Sequence, residues 1–194
     1  MIHAPVKAAL SALLLFIAAF AVQAQRSNQA ASQAATPEIT YTVSMPKPHT
    51  HLLDVELRLR GTLPAQTDLI MPVWTPGSYL VREFARNVQD FDAKDATGRS
   101  LRWSKTNKNT WRVESAGARE LVVTYSVYAN EFSVRTNELT DQHAFWTNAA
   151  LLMYPDGQLK SPSTLRVMPF GNWKVATALP AAAGGRANTF RAEN

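Results

Sequence analysis

The sequence predicts an all-β domain, an antiparallel β-sandwich. Three observations carry this. Apolar and polar residues alternate with period two over several short stretches. Turn residues interrupt those stretches at intervals of about 8 to 12 positions, the spacing of a two-sheet sandwich. Helix-like spacing occurs in one segment alone, the run from Tyr79 to Phe91.

The chain opens with an address. Lys7 supplies a positive start, Ala8 to Val22 is apolar except for Ser11, and Val22-Gln-Ala24 offers small residues for cleavage. An apolar run of this length falls short of the roughly 20 residues a membrane-spanning helix needs. Residues 1–24 are therefore expected to be a signal peptide, the protein exported to the periplasm or secreted, with no membrane contact after cleavage. Residues 25–37 lack large apolar groups and are expected to form a flexible linker. Residues 38–194 form the domain.

Within it, Ile39, Tyr41, Val43 and Met45 alternate with polar neighbours, and Leu53, Val55, Leu57 and Leu59 do the same. Pro46-Lys-Pro-His-Thr50 connects the two as an antiparallel hairpin. In Trp74-Thr-Pro-Gly-Ser-Tyr79, Pro76 and Gly77 suit the two central positions of a tight turn. Val81, Phe84, Val88 and Phe91 predict a short helical turn passing into a strand. Leu101 to Lys105, Trp111 to Val113 and Leu121 to Val127 continue the alternation. Short strands are expected near Thr164–Met168, Trp173–Thr177 and Thr189–Ala192. The chain stops at Asn194 inside an expected strand, so the domain is expected to be truncated before a further one.

Composition excludes several classes. The net charge is +5 and the isoelectric point about 9.7, yet acids interleave with bases, as in Asp54-Val-Glu-Leu-Arg-Leu-Arg60. That is a solvated strand face, and no nucleic-acid partner is expected. Cysteine is absent, which leaves no disulfide and no thiolate metal site. No phosphate-binding glycine loop and no Gly-x-Ser-x-Gly elbow occurs.

Four blocks carry a resemblance. They are Met71-Pro-Val-Trp-Thr-Pro-Gly-Ser-Tyr-Leu-Val-Arg-Glu-Phe-Ala-Arg-Asn87, Trp103 to Trp111, Tyr125-Ser-Val-Tyr-Ala-Asn-Glu-Phe-Ser-Val-Arg135 and His143-Ala-Phe-Trp-Thr-Asn148. In this order they resemble the N-terminal domain of the glycyl aminopeptidase family of zinc metallopeptidases, metallopeptidase family 61. The resemblance implies a zinc enzyme that removes N-terminal glycine or alanine from peptides, with its His-Glu-x-x-His helix in a later domain. No glutamate follows any of the four histidines here. The chain is thus expected to lack catalytic residues, metal and cofactor of its own, to be inactive alone, and to have a catalytic domain in cis and a peptide substrate as partners.

Candidate contacts follow with their alternatives. Asn130 and Glu131 close the Tyr125 strand. Glu131 is either a carboxylate for a substrate ammonium, by analogy with two-domain zinc aminopeptidases, or a solvated turn residue, with Asn130 tolerating a left-handed backbone. Asn148 is a candidate for clamping substrate backbone. Trp74, Pro76, Gly77, Tyr79, Arg82, Arg86, Tyr128 and Phe145 are candidates for the surface that meets the catalytic domain; the two arginines also suit a substrate carboxylate, although such arginines more often brace a turn by bonding exposed carbonyls. His49 and His51 would share one side of an extended segment but lack a third ligand, and read as a polar loop rim. The five tryptophans are assigned to the core. A stand-alone exported sandwich that binds glycan or peptide is the alternative function.

Overall fold

The computed structural model describes residues 36–193; the expected signal peptide and nearly all of the expected linker lie outside them. The strands are β1 (Glu38–Ser44), β2 (Leu52–Arg60), β3 (Thr67–Ile70), β4 (Val88–Asp95), β5 (Trp103–Asn107) and β6 (Thr110–Val113). They continue as β7 (Glu120–Tyr128), β8 (Glu138–Leu139), β9 (Ala144–Phe145), β10 (Tyr154–Pro155), β11 (Ser163–Met168) and β12 (Thr189–Ala192). One sheet runs β12-β11-β1-β2-β7-β4, a second β10-β3-β6-β5, and β8 pairs with β9 alone. All ladders are antiparallel except β1 with β11, which is parallel. Among the described residues no helix is long and apolar enough to cross a membrane.

The period-two pattern dictates the core. Register places Ile39 opposite Leu59 and Leu59 opposite Leu121, then Tyr41-Leu57-Val123 and Val43-Val55-Tyr125 in successive rows. All nine side chains are buried. Leu69, Met71, Trp111 and Val113 of the second sheet and its flank are buried in the same cluster. Alternation is what lets three neighbouring strands present one apolar face while Asp54, Glu56 and Arg58 remain on the other.

The local expectations mostly hold. Pro46 to His51 closes the first hairpin, with Pro48–Thr50 as a 3-10 turn. Thr75 to Ser78 is a tight turn: Ser78 N–H donates to the Thr75 carbonyl at 3.1 Å, and Gly77 has φ +80°, where a side chain would be strained. Phe84–Asn87 is a 3-10 turn that runs into β4 and buries Phe84 and Ala85. By contrast, Trp173–Thr177 is not a strand. Both edges of β11 are taken, by β1 and β12, and Trp173 and Val175 pack partly buried against the core instead of entering a ladder. The tryptophan assignment also needs correction. Trp111 is 3% exposed, whereas Trp74 is 52% and Trp103 41% exposed, and Trp146 and Trp173 are partly buried. Phe91 reaches across from the first sheet to both Trp103 and Trp111, with ring centroids at 4.8 and 5.7 Å.

Two tyrosine hydroxyls fix the chain that crosses the core after residue 148. Tyr125 donates to the Leu151 carbonyl at 2.9 Å and accepts from Met153 N–H at 3.0 Å; Tyr41 donates to the Met153 carbonyl at 2.7 Å. Burial pushes both phenols well above the ordinary tyrosine range, so they serve here as neutral hydrogen-bonding groups.

Polar outer faces carry ion pairs in register. Arg112 grips Asp68 through two bonds of 2.7 and 2.6 Å, which hold that carboxyl low. Burial pushes Glu120 up, but bonds from Arg58 and Arg60 outweigh it. Asp95 is held at about 2, chiefly by the Thr97 hydroxyl, with Arg99 adding. A lowered native pKa means stability that is fully present above the unfolded carboxylate range, about 4. It is lost as pH falls through the native values. The urea midpoint is therefore expected to be level near pH 6 and to drop progressively from about pH 4.5 to 2. Asp68→Asn is expected to flatten part of that drop; an unchanged slope would count against the Arg112 pair.

Candidate functional site

The ends of two antiparallel strands build the site. In the β4–β7 ladder Val88 lies opposite Val127. Arg86, just before β4, and Tyr128 to Glu131, at and beyond the end of β7, therefore arrive at the same edge. There Arg86, Tyr128, Asn130 and Glu131 line a cleft of about 180 Å³ with Asn87, Thr136 and Asn137.

The wall that holds Glu131 is a closed loop. Ala129 N–H donates to the His51 carbonyl and Leu139 N–H to the Ala129 carbonyl, both at 2.8 Å. Asn130 bridges Glu138, and Glu131 N–H donates to the Asn137 carbonyl at 3.1 Å. The Thr136 hydroxyl donates to the Glu131 carbonyl at 2.7 Å and lies 2.7 Å from the Ser133 hydroxyl. Buried Asn137 ties this loop to the next: its amide donates to the Ala150 carbonyl at 2.9 Å and its oxygen accepts from Thr147 N–H at 3.1 Å. Backbone bonding on both sides leaves the Glu131 carboxylate exposed with no ion pair among the described residues.

Several expected residues meet here and others do not. Arg86, Tyr128, Asn130 and Glu131 share the cleft. Asn130 is not left-handed; it is fixed by its bridge to Glu138 and by donating to the Tyr128 hydroxyl at 3.1 Å. Asn148 opens a 3-10 turn, exposed, and is not among the residues lining the cleft. Phe145 lies beside exposed Phe132, ring centroids 6.3 Å apart, and Phe132 also meets His143 edge-on. Trp74 and Tyr79 are exposed outside the cleft. The Trp74 indole donates to the Ser78 carbonyl and closes the Pro76-Gly77 turn on itself. Arg82 braces this region through its backbone, whose N–H donates to the Val73 carbonyl at 2.6 Å. Its Nε is buried with no partner.

Sequence reasoning missed Asn137, Asn87 and Thr136. A Thr-Asn pair in a polar stretch carries no periodicity, and only the fold shows Asn137 to be buried.

The histidines do not form the arrangement expected of them. His51 has φ 58° and follows a 3-10 turn, so His49 and His51 are not on one extended segment. The His51 Nδ1 donates to the Leu139 carbonyl at 2.5 Å, which fixes that nitrogen as the protonated one. Among the described residues no three His, Cys, Asp or Glu side chains group to hold a metal ion. This donor set does not fit zinc.

A second groove of about 260 Å³ is lined by Trp146, Trp173 and Lys174, among others.

A family model described as the Peptidase M61 N-terminal domain matches residues 40–194. Among solved structures, the chain is similar to an aminopeptidase N family protein from Idiomarina loihiensis, with TM-score 0.74 and 32% identity. The match covers 80% of this chain and 27% of that one, so the chain spans about a quarter of that relative's length. An M1 zinc metallopeptidase from Deinococcus radiodurans matches at TM-score 0.40 and 15% identity, over 81% of this chain and 38% of that one. No curated protein matches.

Proposed function

Since the chain belongs to the Peptidase M61 N-terminal domain family, we propose that it is the non-catalytic N-terminal domain of an exported zinc aminopeptidase. The whole enzyme removes N-terminal glycine or alanine from peptides, and this domain shapes the substrate cleft and packs on a catalytic domain in cis. Zinc, held by that other domain, would polarise the scissile carbonyl and a glutamate there would activate water. What the present residues do is bind and orient: Glu131 takes the substrate ammonium, and Asn130 supplies a second acceptor.

The placement of exposed apolar side chains carries this reading. Among the described residues, eight of the twelve large exposed hydrophobics fall in two segments, Trp74, Tyr79, Leu80 and Val81 in one and Tyr128, Phe132, Val134 and Phe145 in the other, while Trp103, Leu159, Met168 and Phe170 lie outside them. The first segment ends shortly before Arg86 in sequence, and the second contains the cleft residues Tyr128, Asn130 and Glu131. Isolated soluble domains seldom leave such clusters uncovered, and a second domain seated beside the cleft would cover them.

Two measurements test it. The gene read past Asn194 should encode His-Glu-x-x-His, with a further glutamate some 20 residues on. In the full-length enzyme, Glu131→Gln should raise KM for glycyl peptides about tenfold and leave kcat within about twofold, the pattern of lost ground-state binding. An unchanged KM would sink the role of Glu131. The second reading, a stand-alone module that binds glycan or peptide, draws on the Trp146–Trp173 groove; a stop codon directly after Asn194 would put it ahead.

A further inference from the structure

We infer that the Arg86–Glu131 cleft takes a small zwitterion, a free dipeptide of minimal side chains, with Arg86 as the contact for its carboxylate. This rests on the reading of Glu131 as the ammonium contact and adds the opposite end of the ligand.

Sorting the polar groups that line the cleft gives the reason. Some are spent within the protein. Both ends of the Asn137 amide are bonded, to Ala150 and Thr147, and the Thr136 hydroxyl is held by the Glu131 carbonyl and Ser133. The remaining groups divide by sign. On the acceptor side are the Glu131 carboxylate and the Asn130 oxygen, since Asn130 uses its NH₂ on Tyr128. On the donor side is the Arg86 guanidinium, which forms no ion pair within 4.0 Å among the described residues; its charge also acts on Glu83, whose carboxylate Lys108 engages at 2.8 Å. Tyr128 joins it: its oxygen accepts from Asn130, which leaves its own proton to donate.

Arg86 and Glu131 thus line one cleft and yet form no ion pair within 4.0 Å. Two opposite charges that line one concave space without pairing are complementary to a ligand that carries the reverse pair at its two ends. Size narrows the class. About 180 Å³ is well under the roughly 300–1,000 Å³ of sites for drug-sized ligands. A guanidinium offers a carboxylate two parallel N–H donors, so the free C-terminus is the group it would select.

The test uses the full chain and three probes: glycylglycine, its C-terminal amide and its N-acetyl form. Binding is read by calorimetry and by the NMR shifts of the Tyr128 ring. Glycylglycine is expected to bind about tenfold more tightly than either capped form, one charge-assisted contact being lost in each. Arg86→Gln should abolish the preference over the amide and keep the preference over the N-acetyl form; Glu131→Gln should do the reverse. Both positions are exposed, and circular dichroism of each variant confirms an intact fold. If glycylglycine and its amide bind wild type equally while the N-acetyl form binds worse, the carboxylate contact is overturned and the ammonium contact stands. If only the amide differs, the ammonium reading fails instead. Binding of none of the three overturns the proposal.

Discussion

Replacing Tyr125 by phenylalanine is expected to destabilise the domain by about 2 to 6 kcal/mol, a large share of the roughly 5–15 kcal/mol that holds a typical domain together. The ring itself would still fit, so no cavity term enters. The loss falls on the backbone it serves. With the hydroxyl gone, the Leu151 carbonyl and the Met153 N–H both lose their partner in the core, at about 1–3 kcal/mol for each buried group left unpaired. Tyr41→Phe provides the scale, because it orphans a single acceptor, the Met153 carbonyl. Urea unfolding should rank Tyr125→Phe well below Tyr41→Phe, and both below wild type. Equal midpoints for the two variants would mean that water or a shifted backbone replaces the second bond.

Asn137→Ala is expected to cost about 2 to 4 kcal/mol and to loosen the cleft rather than the sandwich. One amide joins the Glu131 loop to the turn at 147–150 through two bonds of opposite polarity. Their removal frees both segments from each other while the rows of Leu57 and Leu59 remain packed. Hydrogen exchange should accordingly rise at Thr147 and along residues 130–138, with β2 and β7 still protected. Asn137→Asp should not rescue. It keeps the acceptor for Thr147 but turns a negative oxygen toward the Ala150 carbonyl, which has lost its donor. Protection unchanged in both variants would show that the loop is held by its own backbone bonds alone.

How much of this was legible in the sequence depended on burial. β1, β2 and β7 alternate cleanly because each has one face in the core, and their residues were readable at sight. β11 and β12 lie where short strands are expected, although β12 shows no alternation of burial. β3, β8, β9 and β10 are two to four residues long, too short for a period to declare itself. β5 alternates too, but as an edge strand exposed along its length. That is why Trp103 resembled a core residue in sequence and lies at the surface. The site was half legible. A carboxylate just past a strand end pointed to Glu131, but nothing in sequence joins it to Arg86, since the Val88–Val127 register makes that connection. Asn137 had no signal of its own.

The parallel pairing of β1 with β11 bears on how the chain acquires its shape. The first strand of the domain lies between β2, its immediate successor, and a strand more than a hundred residues later. During synthesis β1 and β2 can close as a hairpin early, but the other edge of β1 stays open until Ser163–Met168 has been made. Contacts of such wide separation slow the search for the native state, to milliseconds or seconds in β-rich domains. The open edge is meanwhile a template for pairing with another chain. A ribosome stalled before residue 163 would hold a sticky intermediate, and completion of β11 is the step that ends the exposure.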